Sequence, residues 1–180
     1  MPGRLTEVWQ NPKGGNKMKI LKIWKAVLLI LLVAFVYQPA RAQKQEKAEA
    51  VQKMVRDADF MFNAQIALPM SGNSRHLTSA YHITVSGDTL VSYLPYFGRA
   101  YRAPADLTGG GIDFKSTDFE YTVKERRKGG WDVKITPKDA EDVRQMFLTV
   151  SENGSASLRV NSDRRQSISF NGYISEEDPG

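Results

Sequence analysis

The sequence contains no cysteine. Disulfides, thiolate nucleophiles and cysteine–zinc sites are therefore excluded, and so is an N-terminal lipid carried on sulfur. Histidine is almost as scarce. His76 and His82 are the only two, His82 on the polar parity of its segment, and no third ligand stands beside them at metal-site spacing. No serine occupies a Gly-x-Ser-x-Gly elbow or a Ser-x-x-Lys pair. Thr108-Gly109-Gly110-Gly111 lacks the Lys-Ser/Thr that completes a phosphate cradle, and no helical pattern follows it, so it reads as a flexible loop. No catalytic residue, cofactor or metal is nominated by these patterns.

A long apolar run is missing as well. Ala26 to Tyr37 is uncharged and apolar for twelve residues, short of the roughly 20 that a bilayer-spanning helix needs. Lys17, Lys19, Lys22 and Lys25 precede it, Gln38-Pro39 ends it, and Ala40-Arg41-Ala42 places small residues where a signal peptidase reads. Met18 to Ala42 is expected to be a cleavable signal peptide cut between Ala42 and Gln43, in preference to a retained anchor. Residues 1–17 show no apolar periodicity and read as an upstream extension before a start at Met18. The expected compartment is the periplasm or the outside of the cell.

Removing the leader also removes the excess of positive charge. The formal net charge is +5, but seven of the 25 lysines and arginines lie before Gln43, against the single acid Glu7. From Gln43 onward 18 basic residues face 19 acidic ones, a balance that offers no argument for nucleic acid or an anionic membrane. The 138 residues from Gln43 to Gly180 are enough for one domain without covalent staples.

Only residues 43–58 carry a helical pattern, with Ala48, Val51, Val55 and Ala58 on one side. The stripe is weak, so this helix is expected to lie on the surface of the remainder or to fray. From Phe60 the period becomes two: Phe60, Phe62, Ala64, Ile66 and Leu68; Tyr81, Ile83 and Val85; Phe119, Tyr121 and Val123; Trp131, Val133 and Ile135. Met146, Leu148 and Val150, then Ala156, Leu158 and Val160, then Ile168 and Phe170 continue it. Gly87-Asp88, Gly129-Gly130 and Asn153-Gly154 fall between these runs as hairpin turns, and Asn161 to Arg164 links the last two. Eight or nine strands joined in this way predict an antiparallel meander, within residues 59–176, that forms a small barrel or a sandwich, and the barrel is favoured because it removes the sheet edges.

Leu90 to Phe97 departs from alternation. It is apolar on both parities, which predicts cover on both faces, and Pro95 marks a strand end or bulge. Tyr93, Tyr96, Phe97, Arg99 and Tyr101 cluster in nine residues. Such a cluster suits either the mouth of a ligand pocket, with an arginine to stack or to grip a carboxylate, or a plug over one barrel end. Asp139, Glu141 and Asp142 follow Pro137 in a link and read as a solvated turn. Arg126-Arg127-Lys128 and Arg164-Arg165 likewise read as solvated basic tips.

The runs Tyr93–Tyr101 (YLPYFGRAY), Gly109–Phe114 (GGGIDF) and Arg164–Ile174 (RRQSISFNGYI) resemble the family DUF4251, and the likeness covers most of residues 55–175. The resemblance implies an exported protein of Bacteroidetes-type bacteria with a compact lipocalin-like or calycin-like barrel, and it implies no reaction. For such a host, Asp88-Thr89-Leu90 also resembles a periplasmic O-glycosylation motif, with Thr89 as acceptor. The leading expectation is a non-enzymatic domain that binds a small apolar or amphipathic ligand. Two alternatives stand beside it: a structural or inhibitory protein docking on an envelope partner, and a hydrolase using carboxylates such as Asp113 and Asp118.

Overall fold

The computed structural model describes Trp24, Leu28 and residues 43–101 and 110–176. The expected extension 1–17, the leader and Ala42 of the cleavage site lie outside the described residues, those two positions aside. Among the described residues no helix is long and apolar enough to cross a membrane.

Helix α1 runs through 43–57. Ala58 ends it with a left-handed backbone (φ 52°), an unfavourable state for a residue with a Cβ. Ten strands follow among the described residues: β1 (Asp59–Pro69), β2 (Arg75–His76), β3 (His82–Ser86), β4 (Thr89–Leu94), β5 (Ile112–Ser116), β6 (Phe119–Glu125), β7 (Trp131–Pro137), β8 (Gln145–Val150), β9 (Ser155–Asn161) and β10 (Ile168–Ser175). All pair antiparallel, in the order β5-β4-β3-β1-β10-β9-β8-β7-β6, with the two-residue β2 on β1. Hairpins therefore supply most neighbours, and the first strand pairs with the last.

The two ends of this path, β5 and β6, are consecutive in the chain and separated only by Thr117-Asp118. Alternating directions along the path make them run the same way. They act as one kinked strand whose first half pairs β4 and whose second half pairs β7, which brings the sheet round into a nearly closed barrel. The kink is pinned from the β7–β8 link. Thr117 N donates to Asp139 Oδ2 at 3.1 Å, and Lys138 N donates to the Asp118 carbonyl at 2.8 Å. Hydrogen bonds from Ser116 and from the Thr117 N–H hold the Asp139 carboxyl below its ordinary range.

Alternation fills the interior as the strand pattern requires. Phe60, Phe62, Ile83, Val85, Leu90, Ile135, Met146, Leu148, Leu158 and Phe170 are buried, each large side chain stabilising by about 1.5–3 kcal/mol. Two expectations are corrected. Strand β1 carries a register shift between Ala64 and Ile66, so Ala67 turns inward and is buried while Ile66 and Leu68 are only half-buried. Strand β4 is covered on one face only: Leu90, Ser92 and Leu94 point in, and Tyr93 on the other face is 46% exposed.

Helix α1 does not lie apart from the core. Val51 and Val55 are buried in it, the Tyr121 hydroxyl donates to the Val55 carbonyl at 2.6 Å, and Arg56 pairs with Glu125 at 2.8 Å. Gly87 N donates to the Ala58 carbonyl at 3.1 Å. These partners come from β6 and from the β3–β4 turn, so α1 covers the end of the barrel where β6 finishes and β4 begins.

Candidate functional site

The opposite end is where β4 finishes, β5 begins, β9 finishes and β10 begins. A cavity of about 510 Å³ lies there. Its inward wall is apolar: Leu94, Ile112, Val143, Val160 and Ile168 are all buried. Tyr81, Tyr93, Tyr96, Phe97 and Phe114 add aromatic surface, and Asp113, Glu141, Asp142 and Arg165 add charge. Tyr93 and Asp113 stand directly opposite each other across β4 and β5, on the outward parity, so the cavity reaches round the end of β4 to the outer face.

The chain after β4 crosses this end and is fastened on the far side. Tyr101 N donates to the Arg164 carbonyl at 2.8 Å, Gln166 N donates to the Arg99 carbonyl at 3.1 Å, and Ala100 bridges Arg165 as an isolated antiparallel pair. The Tyr96 hydroxyl lies 3.0 Å from the Arg99 carbonyl and 3.1 Å from that of Gln166. Burial pushes the Tyr96 phenol above its ordinary pKa, against the opposing pull of the Gln166 contact and of Arg165. A Cβ at Gly98 would meet the Tyr96 hydroxyl at 2.6 Å, so a side chain there would displace that ring from its two carbonyls.

Arg165 is the charged centre of the site, and it corrects the expectation of a solvated tip. It is only 7% exposed. Its Nη1 donates to the carbonyls of Gly110 and Gly111 at 2.7 and 2.9 Å, and its Nη2 donates to Asp142 Oδ2 at 2.7 Å. The guanidinium also lies over the Tyr96 ring, 5.2 Å from its centre. Asp142, expected in a solvated turn, is thus half-buried and paired with a buried guanidinium. Its second oxygen, Oδ1, is buried 3.4 Å from Arg164 Nη1 and makes no well-formed hydrogen bond among the described residues. A second guanidinium, that of Arg75, sits 4.7 Å from the centre of Phe97.

Of the five residues expected at a pocket mouth, Tyr93, Tyr96 and Phe97 line the cavity; Arg99 and Tyr101 do not. Arg99 takes part through its backbone, and Tyr101 stands 67% exposed. Asp113 lines the cavity but Asp118 does not. Asp118 sits at the kink, 4.0 Å from Lys138. The structure therefore does not bring those two carboxylates to one cleft. Thr89, the expected acceptor of sugar, opens β4 half-buried, its hydroxyl 3.4 Å from the Asp88 carboxylate.

Fold and site define a small antiparallel β-barrel domain, capped by a helix at one end and hollow at the other. The chain belongs to the family DUF4251, a domain of unknown function whose model matches residues 42–174. It is similar in fold to the crystal structure of a DUF4251 family protein from Bacteroides eggerthii DSM 20697. That similarity has a TM-score of 0.53 at 14% identity, over 75% of this chain and 89% of that one. No curated protein matches the chain.

Proposed function

We propose that the protein is an exported, non-catalytic domain of the periplasm that binds a small amphipathic molecule in the cavity at the open end of its barrel. The observation that carries this reading is the division of the interior. Phe60, Phe62 and Phe170 are fully buried inside the barrel, while a space of about 510 Å³ with an apolar floor and an aromatic rim is left at one end. A cavity in the range of about 300–1,000 Å³ that joins an apolar floor to placed polar groups suits a small amphipathic ligand. Export is supported by the charged-apolar-small leader ending at Ala42, the position at which the family match also begins.

Native mass spectrometry of the protein purified without detergent from its host tests the reading. The expected result is a mature chain beginning at Gln43 with a non-covalent adduct, and loss of that adduct in Ile112→Trp, which pushes an indole into the cavity. A chain with Met1 intact would overturn export. Absence of any adduct, with aromatic NMR signals unmoved by decyl-chain amphiphiles, would overturn ligand binding. The same spectrum reads sugar on Thr89 as an added mass that Thr89→Val removes. A second reading, docking of an envelope protein, draws on Tyr101, which is 67% exposed and outside the cavity. Under that reading Tyr101→Ala abolishes capture of the partner and leaves the adduct in place.

A further inference from the structure

We infer that the ligand carries a positive charge, seated on Tyr93 against Asp113 at the cavity rim. The inference rests on the cavity reading above and gives that ligand its chemical class, a cationic amphiphile with an ammonium-type head. Three aromatic positions at this end of the barrel face cationic chemistry, and the chain itself fills two of them. The Arg165 guanidinium occupies the face of Tyr96 at 5.2 Å, and that of Arg75 occupies Phe97 at 4.7 Å. The third is the ring cluster of Tyr93, Tyr81 and His82, with Tyr81 at 5.4 Å and His82 at 6.0 Å from the Tyr93 ring. Among the described residues no lysine or arginine is seated there.

The electrostatics of the rim point the same way. Asp113, directly opposite Tyr93, is exposed and has no ion pair among the described residues. Glu141 and Asp142 are engaged by Arg164, and Asp142 by Arg165 as well. The hydrogen-bonded Nη1 and Nη2 of Arg165 are directed at two carbonyls and Asp142, so the buried guanidinium is spent on the protein rather than held open for an anion. What the rim offers a ligand is an aromatic face with a carboxylate at its edge that no described residue pairs. That pairing attracts a weakly hydrated cation through the ring quadrupole and through charge. The alkyl part then has Leu94, Ile112 and Ile168 to cover it.

Calorimetric titration at pH 8 of the purified protein with two probes of equal chain length, decyltrimethylammonium and decanoate, each below its micellar concentration, tests the charge. The cation is expected to bind at least about fivefold more tightly than the anion. It should lose about three- to tenfold in affinity in Asp113→Asn and in Tyr93→Leu. Both side chains are exposed, so neither change opens the core, and unaltered thermal midpoints confirm that the variants are folded. Decanoate binding as tightly as the cation, or a cation affinity indifferent to Asp113→Asn, would overturn the inference and leave the cavity reading standing. Binding of neither probe would overturn both.

Discussion

The Tyr96 hydroxyl reaches the carbonyl of Gln166, 70 residues further along the chain, at 3.1 Å. That contact ties the segment leaving β4 to the link between β9 and β10, and with the Ala100–Arg165 bridge it sets the far wall of the cavity. The aromatic cluster is therefore both structural and part of the cavity lining. Tyr96 holds the crossing chain in place, and Tyr93, on the other face of the sheet, is left free at the rim.

Tyr96→Phe keeps the ring over Gly98 and under Arg165 and deletes only the hydroxyl. The carbonyls of Arg99 and Gln166 lose one shared donor, and the expected loss of stability is about 1 kcal/mol. Urea unfolding should show a lower midpoint with an unchanged slope. A variant as stable as the parent would mean that backbone pairing at Ala100 suffices to hold the crossing chain.

Arg165 should tolerate no simple replacement. Arg165→Met leaves the part-exposed Asp142 carboxylate to Arg164 alone and removes the donor shared by two carbonyls, an expected loss of about 2 kcal/mol. The double variant Arg165→Met/Asp142→Leu should recover part of that loss. Arg165→Lys should behave more like Met than like Arg, because one ammonium cannot reproduce a planar fork that spans three acceptors. Thermal or urea denaturation of the three variants gives the ranking, and a double variant less stable than Arg165→Met would contradict the account.

Much of the barrel was legible because its causes are local. Alternation in Trp131–Ile135 and Ala156–Val160 needs only the pleat, and Gly129 and Gly154 adopt positive φ in their turns (86° and 83°) as glycine permits. The departures come from distant contacts. Nothing near Arg165 in the chain distinguishes it from Arg164, yet one is buried and the other half-exposed, because Gly110, Gly111 and Asp142 arrive from two other links. The kink at Thr117-Asp118 is likewise set by Asp139 and Lys138 across the fold. The aromatic cluster was visible as composition, whereas its division between a fastening ring and rim rings depends on which face of β4 each residue takes.

Tyr121 gives the fold a dependence on alkaline pH. Its hydroxyl is buried against the end of α1 and donates to the Val55 carbonyl at 2.6 Å, and burial pushes its pKa well above the ordinary phenol value. A group raised in the folded state contributes stability that is complete below the unfolded pKa, about 10, and is lost as pH rises through the folded value. Tyr121→Phe should be less stable at pH 7 by about 1 kcal/mol, for the lost hydrogen bond. It should also lose less stability than the parent between pH 10 and 11. Urea midpoints of both proteins across that range test the sign. Parallel curves would show that Tyr121 ionises in the folded protein as it does in the unfolded chain.

Gly172 is a position at which the barrel has no room for a side chain. It faces Ala64 across β10 and β1 beside the register shift, and a Cβ placed on it would collide with the carbonyl oxygen of Asn63 and crowd the Ala64 backbone. Those obstacles are backbone atoms in the pairing between first and last strands, so they can withdraw only by separating β1 from β10. Gly172→Ala, the smallest possible substitution, is therefore expected to cost more than about 2 kcal/mol, in the range of overpacked cores. Gly87→Ala serves as the comparison: it also replaces a glycine, at a turn with positive φ (58°) and open space around it, and its cost should be limited to the left-handed backbone, about 1 kcal/mol. Hydrogen exchange distinguishes the two by place. In Gly172→Ala protection should fall along β1 and β10, and in Gly87→Ala only at the β3–β4 turn. Equal protection of β1 and β10 in both variants would show that the close approach at Gly172 is not what holds the sheet together.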